Sequence, residues 1–230
     1  MNGFDGEAGN RPPFLVCVCI WTCVRITEPT MLQDIPTPTL ALRQTRPFIL
    51  ETERLSLRKP TLADARVIAA LANDRRIAEM ARRLPHPYTQ EEAVRFVDAV
   101  AGDSSETVFL IEHNHVPVGV AGVDWSEPDA PELGYWVGVD YWGRGFATEA
   151  ARAVIDYTFE AFAVDQLRSG ARVVNPASRN VLEKCGFQWT GVELHRSRAL
   201  GSSTPVDRFR LSRGVWSSLK NWSSAARRER

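Results

Sequence analysis

The chain has 230 residues, of which 44% are hydrophobic and 24% charged, with 28 Lys plus Arg against 28 Asp plus Glu. That length allows one domain with extensions or two small domains, and the composition is that of an ordinary globular protein. A balanced charge supplies no global field to attract nucleic acid or an anionic membrane, so neither is expected as a partner.

Three of the four cysteines, Cys17, Cys19 and Cys23, crowd near the start of the chain. No second pair or histidine cluster accompanies them, so they fit no zinc template and no metal is expected. Cys185 reads as a small core residue, and the cysteine usage fits a reducing, cytoplasmic compartment. Phe14 to Val24 is an apolar run of 11 residues, too short for a bilayer span of roughly 20 residues. Arg11 precedes it as in a secretory signal, but Arg25 to Pro29 hold no small-residue cleavage site. Ile35 to Thr39 is proline-rich and reads as linker. The expectation is an extension over residues 1–46, with translation starting at Met31 and residues 1–30 untranslated or disordered. A globular domain over 47–221 and a solvated tail over 222–230 follow.

Phe48 to Lys59 alternates Leu55 and Leu57 with Arg54, Ser56 and Arg58 and is predicted to be one strand. Pro60 breaks it. Thr61 with Asp64 then forms an N-cap arrangement for a helix that turns Leu62, Ala65, Ile68, Ala69 and Ala72 inward. A second helical piece is expected over Asp74 to Arg83. A third follows Thr89, where Glu92 completes a capping box before Val94, Phe96 and Val97. Glu106–Glu112 and Val116–Trp125 read as a hairpin across His113-Asn114-His115. Glu132–Val139 is a further strand. After Gly143-Arg144-Gly145, helical spacing starts near Ala147 and continues through Ala150, Ala151, Val154, Ile155, Phe159 and Phe162. Gln166–Val174 is a strand, and Asn175-Pro176 opens a helix with Ala177, Val181, Leu182 and Cys185 inward and Gly186 as its stop. Strands Phe187–His195 and Pro205–Ser212 precede a closing helix around Val215, Trp216 and Leu219. This order of elements predicts a mixed α+β fold.

A strand that passes through a glycine turn into a helix N-terminus makes an anion site, because the first N–H groups lack intrahelical partners. Gly143 to Thr148 is therefore expected to hold a pyrophosphate-bearing cofactor, with an ordinary turn as the bland alternative. Arg144 either adds a charge there or points to water. Gly138 to Gly145 approximates a P-loop but has Arg144 and Gly145 where Lys and Ser/Thr are needed. Gly143-x-Gly145-x-x-Thr148, with Asp165 downstream, approximates a dinucleotide fingerprint. It lacks the third glycine and follows hairpin strands instead of opening a parallel βαβ unit.

The ordered motifs resemble the GCN5-related N-acetyltransferase (GNAT) family, and within it the RimJ/RimL-like branch of ribosomal-protein alanine acetyltransferases. The family loop is Gln/Arg-x-x-Gly-x-Gly/Ala. Trp142-Gly143-Arg144-Gly145-Phe146-Ala147 fills it, with Trp142 replacing the leading Gln/Arg. The branch is also visible in Leu133-Gly134-Tyr135-Trp136, Ala147-Thr148-Glu149-Ala150, Asn175-Pro176-Ala177-Ser178 and Leu182 to Phe187.

The resemblance implies an acyl-CoA N-acyltransferase fold, in which helices flank a central, mostly antiparallel sheet. That sheet would splay at the cofactor site, between Glu132–Val139 and Gln166–Val174. Acetyl-CoA would be the co-substrate, with backbone groups of Val137 and Val139 on the pantetheine amides. The N–H groups of Gly143, Arg144, Gly145, Phe146, Ala147 and Thr148 would hold the pyrophosphate. The implied reaction is direct attack on the thioester, in a ternary complex, by a neutral primary amine from a protein N-terminus or a small molecule. It needs a base for the ammonium, donors for the oxyanion and an acid for the departing thiolate. Many relatives use a tyrosine acid where this chain has Leu182. In the resembled branch Ser178 takes that part and Asn175 contacts the pantetheine arm, although both also suit helix capping. Val174 stands where relatives often carry Asp. The base is Glu132 or Asp124, whichever alternation turns toward substrate. One of Tyr135 and Trp136 lines the groove and the other the core, and the Pro85–Thr89 loop, with His86 and Tyr88, either rims the acceptor site or simply connects helices. The protein would act as a monomer or homodimer. A non-catalytic acyl-CoA-binding sensor or scaffold is the second reading, prompted by the missing tyrosine.

Overall fold

A computed structural model describes residues 49–102 and 105–228, so the expectations for the 1–46 extension and Met31 lie outside the described residues. The strands are β1 (Ile49–Glu51), β2 (Leu55–Arg58), β3 (Glu106–His113), β4 (Val116–Asp124), β5 (Glu132–Val137), β6 (Gln166–Arg172), β7 (Gln188–Arg196) and β8 (Ser203–Ser212). They form one sheet in the order β1-β2-β3-β4-β5-β6-β8-β7. Every neighbouring pair is antiparallel except β5 with β6. The helices are α1 (Ala65–Ala72), α2 (Arg75–Ala78), α3 (Gln90–Ala101), α4 (Phe146–Ala161), α5 (Pro176–Lys184) and α6 (Arg213–Arg228). The fold is α+β, as the order of elements predicts.

The sheet separates two cores. On one face α4 buries Phe146, Ala150, Ala151, Val154, Ile155 and Phe159 against Phe109, Ile111, Leu133 and Leu167. On the other, α1 and α3 supply Ala65, Ile68, Ala93 and Val97 to Val108, Leu110 and Val120. The β3–β4 hairpin turns through Asn114 (φ 51) and His115 (φ 61). Two successive left-handed residues match the twist of the flanking strands.

Several boundaries differ from the sequence expectation for local reasons. The single strand predicted over 48–59 is a hairpin, because Thr52 Oγ1 accepts from Leu55 N–H (2.9 Å) and Thr52 N–H donates to Leu55 O (2.9 Å). Leu62 is 57% exposed, since residues 62–64 wind as a 3-10 turn and shift the phase before α1 begins. Asp74 caps α2 through Arg76 N–H at 2.8 Å, but the helix lasts one turn and does not reach Arg83. Glu92 does not close the expected box: its carboxylate goes to Arg95 (2.9 Å) and Arg198 (3.4 Å). The buried face of α3 is Ala93, Val97 and Val100. Ala177 and Phe162 are exposed, not inward. α6 continues past residue 221 to Arg228.

One ionic cluster sits on the α1–α3 side. Arg58 on β2 donates to both oxygens of Asp64 (2.8 Å each) and to Glu112 on β3 (2.8 and 3.0 Å). Both carboxylates are buried, so the guanidinium fork is what makes their burial tolerable.

Candidate active site

The parallel neighbours β5 and β6 pair only at Glu132↔Arg168 and Leu133↔Ser169. Ser169 Oγ donates to Leu133 O (2.9 Å) and Arg168 N–H to Pro131 O (2.8 Å), closing this end. Beyond it the strands part. β5 stays paired to β4 as far as Val137, and Gly138 N–H donates to Val118 O at 2.8 Å. Antiparallel alternation then aims the peptide groups of Tyr135 and Val137 into the gap. Gly134 adds room, for a side chain built there meets no atom within 4 Å.

The strand ends earlier than expected. Val139 begins a 3-10 turn, Val139–Tyr141, and its carbonyl accepts from Trp142 N–H at 3.2 Å. Trp142, the departure from the family loop, donates its indole N–H to Val137 O at 2.7 Å and so ties the loop to the end of β5. Gly143 (φ 74) and Gly145 (φ 81) take left-handed backbone that a Cβ disfavours. Gly145 is the N-cap of α4, which starts at Phe146, and no side chain caps it. By contrast, Thr89 caps α3 and Asn175 caps α5. The N–H groups of Phe146, Ala147 and Thr148 therefore face outward with neither a helical nor a side-chain acceptor among the described residues. The Phe146 ring lies in the core, 4.7 Å from the His113 ring, so only its main chain is offered. Arg144 lies at the exposed rim, 5.6 Å from the Tyr141 ring centroid.

A brace behind this turn carries no sequence signal beyond Glu149's place in a motif. Glu149 accepts from Thr52 Oγ1 (2.7 Å), Arg54 N–H (2.8 Å) and Arg54 Nε (2.8 Å). Arg54 Nη1 in turn donates to Arg144 O at 3.0 Å. Burial opposes ionisation of Glu149, but the bonds from Thr52 and Arg54 outweigh it and hold the carboxyl below its ordinary value. Glu149→Ala frees Arg54 and the turn together. Isothermal titration is expected to show acetyl-CoA affinity reduced about tenfold, the size of one charge-assisted hydrogen bond.

Across the gap, Asn175 Oδ1 accepts from Ser178 N–H at 3.1 Å, so the capping role holds. Ser178 Oγ stands 3.0 Å from the Tyr135 hydroxyl, which also donates to Ser178 O at 3.1 Å. Burial pushes the Tyr135 phenol well above its usual range and keeps it neutral. Either hydroxyl can donate in the 3.0 Å contact, and when the phenol donates to Ser178 Oγ the Ser178 proton is free for another acceptor. Tyr135 faces the α4 core and Trp136 the α1–α3 core. Tyr88 is 5% exposed in that second core and does not rim a groove.

Asp124 and Glu132 stand opposite each other on β4 and β5, hence on one face. Asp124 accepts from Ser126 N–H (2.9 Å), Ser126 Oγ (2.5 Å) and Arg83 (3.2 Å). Glu132 accepts from Arg208 Nη1 (3.1 Å) and Nη2 (3.2 Å). Burial resists ionisation at both, yet Ser126 with Arg83, and Arg208, hold the two carboxyls below their ordinary values. Only Glu132 lines a cavity of about 50 Å³, shared with Arg82, Arg172, His195 and Arg208. These four are unmarked in the sequence, because the strand order β6-β8-β7 brings Arg172, Arg208 and His195 together and the segment after α2 adds Arg82.

A family model described as an acetyltransferase (GNAT) domain matches residues 54–188. The chain belongs to the GNAT family. This GNAT protein is 31% identical over 169 residues to the N-acetyltransferase YoaA of Bacillus subtilis, covering 69% of this chain and 92% of the relative. It is 26% identical over 168 residues to the N-acetyltransferase p20 of Bacillus licheniformis, covering 70% and 94%. Two solved structures share its fold. One is RimL, a ribosomal L7/L12 α-N-protein acetyltransferase in complex with coenzyme A, at TM-score 0.65 and 19% identity, covering 72% of this chain and 98% of that one. The other is spermidine N-acetyltransferase from Vibrio cholerae with CoA and spermine, at TM-score 0.63 and 22% identity, covering 72% and 99%. The GNAT chain is thus an acetyl-CoA-dependent N-acetyltransferase. Among its described residues, no helix is long and apolar enough to cross a membrane.

Proposed function

We propose that this enzyme acetylates the primary amine of a protein N-terminus or a small molecule by direct attack in a ternary complex, and that it belongs with the RimJ/RimL-like branch. The observation that carries the reading is the β5–β6 gap. An uncapped helix N-terminus flanks it, Ser178 stands over it, and the Glu132 cavity opens beside it.

Bound acetyl-CoA supplies the activated acetyl group. The N–H of Val137 holds a pantetheine carbonyl and that of Val139 can join it, while the carbonyls of both residues already accept from Trp142. Main-chain N–H groups from Gly143 to Thr148 hold the pyrophosphate, with Arg144 at the rim and Arg54 bracing the turn from behind. Asn175 keeps its amide NH2 for the pantetheine arm while its oxygen caps α5. Ser178 donates to the departing sulfur, and Tyr135 orients that hydroxyl by donating to its oxygen. Glu132, the one of the two carboxylates that lines the cavity, draws in the ammonium form and takes its proton as a weak base, held ionised by Arg208. Asp124, committed to Ser126 and Arg83 away from the cavity, is left out of the chemistry.

A thermal-shift comparison of acetyl-CoA, NAD and ATP, followed by thiol release over a panel of amines and N-terminal peptides, tests the reading. Stabilisation by NAD and not by acetyl-CoA would sink it. Ser178→Ala is expected to lower kcat about tenfold with acetyl-CoA KM within a factor of two. The loss is modest because a thiol of pKa near ~8.5 leaves tolerably without an acid.

A further inference from the structure

The cavity beside Glu132 has a charge pattern that amine acetylation by itself does not require. Four arginines, Arg82, Arg172, Arg196 and Arg208, line it against the one carboxylate of Glu132. Arg208 is satisfied by Glu132 and Glu193. Among the described residues, Arg82, Arg172 and Arg196 form no ion pair with an acid, although Arg82 is within electrostatic reach of Asp124 and Glu132. Among the described residues, Arg82 Nη1 has only His195 Nδ1, at 3.3 Å. Arg172 Nη1 donates to the Glu79 carbonyl at 2.7 Å, while its Nε is buried with no hydrogen-bond partner among the described residues. A buried cationic donor without an acceptor is costly, and proteins keep one where a ligand completes it.

Size narrows the ligand. About 50 Å³ holds a group the size of a few waters, each needing about 10–15 Å³ of such space, which suits a carboxylate or phosphate. Guanidinium forks match the planar or tetrahedral oxygens of carboxylate and phosphate. The cavity also abuts the gap: Gly170 on β6 lines it, and a Cβ there would meet Arg208 Nη1 at 2.8 Å and Val206 Cγ1 at 2.9 Å. An anion held here leaves an amine on the same small molecule within reach of the thioester. A polyamine would set cation against arginine, and an ordinary peptide N-terminus brings no anion.

Resting on the acetyltransferase reading above, we propose that the acceptor is a small amine carrying its own carboxylate or phosphate, bound through Arg172 and Arg82. The test is thiol release with matched acceptors at equal free-amine concentration. Alanine against alaninamide probes carboxylate, phosphoethanolamine against ethanolamine probes phosphate, and spermidine and an alanine-led peptide complete the set. The anionic member of at least one pair is expected to lead by about tenfold or more in kcat/KM. Arg82→Gln, an exposed position, and Arg172→Met should each bring that lead below about threefold. Equal rates within both pairs, or spermidine or the peptide as best acceptor, overturn the proposal. Calorimetric titration of phosphoethanolamine, alanine and inorganic phosphate gives a readout without turnover. Binding lost in both variants upholds the anion site even if no amine is acetylated, in which case it is the acetyltransferase reading that fails. No anion binding to the unaltered protein rejects the site itself.

Discussion

Replacing Gly145 by valine is expected to weaken acetyl-CoA binding about 100-fold, measured by calorimetry, while the protein stays folded. Gly145 sits at φ 81 as the N-cap of α4. A left-handed residue with a Cβ costs roughly 1–2 kcal/mol, and more when the side chain is β-branched. The new Cβ would also stand 3.3 Å from Arg54 Nη2, pressing on the brace that Glu149 anchors. The chain relieves this by rotating the turn, which swings the outward N–H groups of residues 146–148 off their common aim. Two or three charge-assisted bonds lost together account for the fold-change. Unaltered affinity in the valine variant would mean that the turn is not the pyrophosphate site. With Phe146 anchored in the core beside it, melting temperature is expected to fall by several degrees, roughly what 2 kcal/mol gives.

The second large effect concerns stability. Arg58→Met leaves Asp64 and Glu112 buried beside each other without their shared cation, and urea unfolding at pH 7 is expected to show a loss of about 3–5 kcal/mol. The pH dependence carries the signature. Arg58 holds the Asp64 carboxyl at about 2, down from 3.8, with burial opposing and Thr61 assisting. A depressed folded value stabilises the native state above the unfolded value and ceases to do so as pH falls through the folded one. The gap between native protein and variant should therefore be widest above pH 4 and narrow as pH drops toward 2. A gap that stays constant across that range would assign the loss to packing of the arginine stem and not to charge.

What was readable in the sequence was local. The Gly143–Gly145 turn, the Asn175–Pro176 cap and the spacing along α4 depend on neighbours within a turn or two, and each forms where expected. Local reading fails where two signals overlap. Alternation runs on across Thr52–Arg54 although the chain turns back there, and the 3-10 turn at 62–64 shifts Leu62 off the helical phase. The acceptor side was hidden for another reason. Glu132 meets Arg208 across 76 residues and Tyr135 meets Ser178 across 43, separations that no spacing rule reaches. Glu132 and Asp124 look alike as strand carboxylates, and only the cavity distinguishes them.

The two-residue contact between β5 and β6 has a mechanical consequence. It makes the sheet two panels, β1 to β5 and β6-β8-β7, seamed at one end and otherwise joined through the helices that pack across them. A ligand lying in the open seam and bonding to the β5 edge stands in for the missing ladder, as mortar does between courses. The empty protein should then breathe at this seam before it melts elsewhere, with amide exchange at Tyr135 and Val137 faster than at their neighbours on β4. Saturating ligand should slow those amides first and make the two panels unfold as one.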